Sequence, residues 1–180
     1  MRKVIVTEFM TLDGVVGYPH HWSFPYWNDE IAQFKQDETF ASGGLLLGRV
    51  TYTEFAAAWP GRTDATGFAD RFNSLPKYVI SSTLEKAAWN NSHLIKSNYA
   101  EEIAKLKQMD GQDLVVHGSV KLVNFLLQAN LIDRYNLLVY PLVVGKGLRL
   151  FSEESNAKLQ LVEAKTFATG VVAQIYTPQP

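Results

Sequence analysis

The chain has no cysteine among its 180 residues. That absence excludes disulfides, thiol catalysis and cysteine-ligated zinc, and it is compatible with a reducing cytoplasm. Charge of either sign is also scarce. There are 17 Lys and Arg against 18 Asp and Glu, a net charge of −1. A nucleic-acid partner calls for a clustered basic surface, for which this balance gives no case. No apolar run is long enough to cross a bilayer. The basic start Met1-Arg2-Lys3 is not followed by the apolar core of a signal peptide. Internal repeats, low-complexity tracts and linkers are missing too. These absences lead us to expect one domain over residues 1–180, cytoplasmic, with a small molecule as its partner rather than nucleic acid or membrane.

What is present is organised around Gly44-Leu45-Leu46-Leu47-Gly48-Arg49-Val50-Thr51-Tyr52. Three consecutive leucines suit a strand covered on both faces. Gly48 permits a tight turn and close approach to a ligand. Free N–H groups at the start of the next helix favour an anion, and Arg49 adds a charged fork of donors suited to phosphate. Leu114-Val115-Val116-His117-Gly118-Ser119, followed by a helix over Val120 to Gln128, repeats the pattern. One such corner is common; two in one small chain point to phosphate binding. Between them, the strand Lys77 to Ile80 ends in Ser81-Ser82-Thr83, hydroxyls that can receive phosphate oxygens or cap a turn.

The rest of the chain reads in order. Val4 to Met10 is a β-branched and aromatic strand, followed by turn chemistry at Asp13-Gly14. Tyr18 to Trp27 is an aromatic loop that could close over a flat ligand or fold down on the core. His20-His21 lacks a carboxylate at ligand spacing, so no metal site is expected. Asn28 or Asp29 caps a helix running to Ala41, with Ile31, Phe34 and Ala41 inward and Glu30 in its first turn, where the dipole favours an anion. Asn98 is read as the cap of a further helix, with Glu101 at its third position. Val144 to Phe151 is a glycine loop without Walker spacing. Two final strands form a hairpin, and Pro178-Gln179-Pro180 reads as a frayed end. Strands alternating with helices, closed by two consecutive strands, predict a three-layer α/β sandwich with a mostly parallel sheet and an antiparallel C-terminal edge. Ligands on such sheets bind beyond the carboxyl ends of the strands, so Gly48-Arg49, Ser81-Ser82 and Gly118-Ser119 are expected along one crevice.

In their order and spacing these segments resemble the dihydrofolate reductase-like superfamily, and within it the riboflavin-biosynthesis reductase (RibD C-terminal) type. The resemblance runs over nearly the whole chain. It rests on Thr11-Leu12-Asp13-Gly14, Leu46 to Tyr52, Val79 to Thr83, Val116 to Leu122, Leu131-Ile132-Asp133, and Pro141 to Gly147 with Leu150-Phe151. It implies a NADPH-dependent reductase that delivers hydride to an electron-poor C=N or C=O, resembling 5-amino-6-(5-phosphoribosylamino)uracil reductase. By resemblance, Gly48, Arg49 and Thr51 hold cofactor phosphates. Ser81, Ser82 and Thr83 surround the 2′-phosphate, and Gly118, Ser119, Val120, Lys121 and Leu122 cradle the pyrophosphate. Asp13 and Glu30 are the substrate-side carboxylates, Glu30 through the alignment of Phe34-Lys35. His117 stands where dihydrofolate reductases have the first of two glycines, and its Cβ would alter the backbone or narrow the nicotinamide site. Tyr18 to Trp27 offers no Lys or Arg to grip a ribityl phosphate, which favours a small heterocycle or carbonyl substrate. A non-catalytic nucleotide-binding protein and a true dihydrofolate reductase are the alternatives. A homodimer is a further implication of the resemblance.

Overall fold

The computed structural model describes residues 1–179. Eight strands form one sheet: β1 (Val4–Thr11), β2 (Ser42–Gly48), β3 (Lys77–Ile80), β4 (Ser92–Ile95), β5 (Asp113–His117), β6 (Arg134–Tyr140), β7 (Leu159–Thr166) and β8 (Val172–Pro178). Their spatial order is β4-β3-β2-β5-β1-β6-β8-β7. The first six run parallel, β8 is antiparallel to β6, and β7 returns antiparallel to β8. This is the expected mostly parallel sheet with an antiparallel C-terminal edge.

Helices cover both faces. On one side lie α1 (Asp29–Phe40), α2 (Arg49–Ala58) and α3 (Phe68–Ser74); on the other lie α4 (Tyr99–Gln108) and α5 (Val120–Gln128). The leucine run of β2 shows why both are needed. Leu45 and Leu47 pack with Tyr52 and Phe72, whereas Leu46 packs on the opposite face with Leu122 and Val123. Alternation along a strand puts neighbours on opposite faces, so three apolar residues in a row need two covering layers.

Three local expectations give way. The inner face of α1 was expected to be Ile31, Phe34 and Ala41; the buried residues are Ile31, Lys35 and Thr39. Phe34 is half-buried against Phe167, and Ala41 is exposed beyond the helix end. The helix is thus seated on a polar strip of the sheet as well as an apolar one. Asn98 precedes α4, but at φ 52° it is left-handed and its side chain makes no capping bond; Asn28 supplies the ordinary cap for α1, accepting from the Ile31 amide at 3.0 Å. The end read as frayed is held as far as it is described. Pro178 pairs with Leu159, and the Gln179 amide donates to the Lys158 carbonyl at 2.8 Å; Pro180 lies outside the described residues.

The aromatic loop folds down on the core. Two short 3-10 turns, Pro19–His21 and Phe24–Tyr26, bring Trp22 and Tyr26 edge-on to Tyr140, at centroid distances of 5.2 and 5.7 Å. The Trp22 indole N–H donates to the Gly17 carbonyl. Tyr18, Phe24 and Trp27 stay exposed beside this cluster.

Candidate cofactor and substrate site

Because six adjacent strands are parallel, their carboxyl ends share one edge of the sheet. β2 lies between β3 and β5, so Gly48, which ends β2, and Ser81 and Gly118, which follow β3 and β5, stand at the ends of three neighbouring strands. The fold therefore brings together the strand ends singled out in the sequence.

The two glycine corners are bonded to each other. The Gly48 amide donates to the Ser119 hydroxyl at 2.9 Å, and that hydroxyl donates to Thr51 Oγ1 at 2.9 Å. The approach is close: a Cβ on Gly48 would lie 3.2 Å from Ser119 Oγ, and one on Gly118 would lie 3.1 Å from Thr51 Oγ1. Gly118 and Ser119 are both left-handed, at φ 58° and 60°. Two successive residues in that conformation turn their amides in an unusual direction, and the hydroxyl bonds hold Ser119 there without a glycine's freedom. Arg49 opens α2, is exposed, and makes no side-chain hydrogen bond or ion pair among the described residues. At the start of α5, Leu122 is buried, Val120 is half-buried and Lys121 is exposed.

At the end of β3 the hydroxyls divide their work. Ser81 is buried, and its oxygen accepts from the Thr83 and Leu84 amides at 3.2 and 3.0 Å. It caps the turn. Ser82 and Thr83 are exposed.

Both carboxylates act as tethers in this structure. Asp13 accepts from the Thr11 hydroxyl at 2.6 Å and from the Val144 and Gly145 amides at 3.3 and 2.8 Å. The Thr11 bond first, and the two amides with it, lower its pKa. Asp13 thereby fastens the glycine loop after β6 to the first turn. Glu30 is exposed; it accepts from the Ala168 amide at 2.7 Å and from Asn28 at 3.1 Å, tying the start of α1 to the β7–β8 turn. Asp13 lies in the turn after β1 and Glu30 in the first turn of α1, at the same end of the sheet, and their hydrogen-bond partners are separate.

Beneath α1 lies a buried polar layer that sequence reading missed. His117, Thr7 and Asn136 are cross-strand neighbours on β5, β1 and β6. Lys35 donates to the Thr7 hydroxyl at 2.8 Å and is ion-paired with Glu38, which also accepts from Asn136 at 2.7 Å. Burial pushes the Glu38 carboxyl up, but Lys35, His117 and Asn136 together outweigh it and the net shift is down. His117 turns its ring inward, edge-on to Phe72 and Phe55 at 5.7 and 6.3 Å. Burial, and then the Lys35 charge, hold it neutral, with a pKa of about 3. The Cβ expected to narrow the nicotinamide site thus carries a ring packed into the core. The next residue after Thr7, Glu8, is buried with one oxygen unpartnered. Thr7-Glu8 inside an apolar strand and Lys35 four residues after Ile31 were the only signals in the sequence, and neither tells which faces meet.

Over residues 2–173 the chain matches the RibD C-terminal domain family, and it belongs to that family. Two Bacillus subtilis proteins, both uncharacterised, are relatives by sequence. YwjB is 38% identical over 176 residues, covering 94% of this chain and 95% of the relative. YyaP is 33% identical over 136 residues, covering 73% and 72%. The fold matches a Shewanella sp. PV-4 protein assigned to riboflavin biosynthesis, with a TM-score of 0.77 at 19% identity and 99% of each chain covered. It also matches a Thermotoga maritima diaminohydroxyphosphoribosylaminopyrimidine deaminase/5-amino-6-(5-phosphoribosylamino)uracil reductase. There the TM-score is 0.68 at 18% identity, with 99% of this chain and 57% of the longer one covered.

Proposed function

We propose that the chain is a NADPH-dependent reductase acting on a small heterocyclic or carbonyl substrate. The observation that carries this reading is the pair of interlocked corners with an uncommitted Arg49 beside them. The residues present fit a dinucleotide. Backbone amides at the α2 and α5 starts and the Arg49 guanidinium suit phosphates, and the exposed Ser82 and Thr83 hydroxyls lie one strand away for the 2′-phosphate. Family membership supports the same reading. When bound, the nicotinamide supplies the hydride.

The chain's own residues bind and orient. Ser119 and Thr51 fix the phosphate corner, while the exposed Trp27 and the half-buried Phe9, 6.2 Å apart between centroids, form an aromatic surface against which a flat substrate can lie, with the buried Tyr140 supporting Phe9 from behind at 5.5 Å. In this reading Glu30 is the substrate-side carboxylate, since it is exposed on that surface's side of the sheet. Asp13 serves the site by holding the loop after β6. The 18–27 loop has no Lys or Arg, so the substrate we favour carries no phosphate there.

Calorimetric titration with NADPH and NADH, on the wild type and on Arg49→Ala, tests the reading. The expected result is a NADPH preference of at least ~1.4 kcal/mol, about tenfold, with affinity for both nucleotides reduced in the variant. Failure of both nucleotides to bind at millimolar concentration would sink it.

A further inference from the structure

Glu8 is the buried ionisable group that the cofactor reading leaves without a task. It is 6% exposed, and its Oε1 has no hydrogen-bond partner. Following Thr7 on β1, it projects from the face of the sheet opposite the Lys35–Glu38 layer. Thr7 pairs with His117 in the parallel register of β1 and β5, so Glu8 stands level with Gly118, the residue just past the end of β5. Glu8 therefore sits next to the left-handed pair Gly118-Ser119, which the bonds of Ser119 to Gly48 and Thr51 tie to the neighbouring corner.

The surrounding charges leave Glu8 uncompensated. One ammonium, Lys35, serves two buried carboxyls, and its hydrogen bonds go to Thr7 and Glu38. Asn136 also bonds Glu38. Burial raises the Glu8 pKa from 4.5 to about 8; Lys35 opposes the rise, Glu38 adds to it, and the Gly118 N–H opposes it weakly. From β5, His117 is neutral over the same range. From α5 the charged side chain is Lys121, which is exposed. At neutral pH Glu8 is thus an uncharged acid, where an exposed carboxyl would be an ion.

We propose that Glu8 is a positioning residue for the Gly118–Ser119 corner, which accepts cofactor phosphate while Glu8 is neutral and resists it once Glu8 ionises. The inference rests on the cofactor reading above. A carboxylate next to a corner that receives a phosphate is a like charge in a poorly solvated place, where Coulomb repulsion is weakly screened. By reciprocity, a bound phosphate holds the proton on Glu8 more tightly.

The test is the NADPH dissociation constant measured between about pH 6.5 and 9.5 for the wild type and for Glu8→Gln, which keeps size and neutrality. Wild-type affinity is expected to fall about tenfold more than that of the variant across this interval. A second measurement needs no variant: the carbon-13 signal of the Glu8 carboxyl is titrated with and without NADPH, and its midpoint is expected to rise when NADPH is bound. Parallel decline of both proteins, or an unmoved midpoint, overturns the inference while leaving the cofactor reading intact. Absence of NADPH binding at the acid end, where Glu8 is neutral, overturns both.

Discussion

The corners at Gly48 and Gly118 share a pattern of strand, glycine and helix, yet each needs its glycine for a different reason. Gly48 has φ −77° and ψ 163°, ordinary extended backbone that any residue adopts. There the missing side chain matters for space, because the Ser119 hydroxyl lies where a Cβ would point. Gly118 has φ 58°, a conformation that L side chains resist. Ser119 repeats that conformation without being glycine and is held by two hydrogen bonds. The first corner is a plain helix start that presents an arginine. The second is a shaped backbone turn, locked in place by the first. A sequence pattern can thus mark where an anion would bind without saying which backbone feature would bind it.

The largest expected effect on this comparison comes from Gly118→Ala. The left-handed backbone alone costs about 1–2 kcal/mol, and the new Cβ would crowd a Thr51 hydroxyl already committed to Ser119. Urea denaturation should show a loss of about 2 kcal/mol, more than for any other change at either corner. Ser119→Ala comes next. It keeps the left-handed cost and leaves the half-buried Gly48 amide without its acceptor. A loss of about 1 kcal/mol is expected, and Ser119→Gly should lose less because it relieves the backbone. Gly48→Ala should be mildest, below about 1 kcal/mol, since its backbone is already suited to alanine and Ser119 need move only slightly. A Gly48 variant less stable than the Gly118 variant would show that close approach, not conformation, governs both corners.

Much of this was legible locally. The leucines of β2, the glycine corners, Arg49 at a helix start and the hydroxyls after β3 announce their places in the fold through neighbours in the chain. Asn28 and Asn98 look alike as caps, but only Asn28 takes the extended conformation from which its side chain can accept the Ile31 amide. Ser81 could receive phosphate or cap a turn, and its bonds to two amides show that it caps the turn. Asp13 and Glu30 were visible as carboxylates near the strand ends. That each is bonded to backbone more than 130 residues away depends on loop packing that no local pattern records.

The sequence by itself determined the alternation of strands and helices, the antiparallel edge and the positions of the two corners, because hydrophobic period, glycine placement and capping residues act over a few neighbours. Only the tertiary structure decided that the corners interlock through Ser119, that His117 turns inward, and that Lys35 and Glu38 meet Thr7 and Asn136 beneath α1. It alone placed Glu8 next to Gly118. Those groups come from residues 7 to 136 and meet through parallel strand register. Their charge states follow from burial and from one ammonium placed near two carboxyls, quantities that exist only once distant segments are packed together.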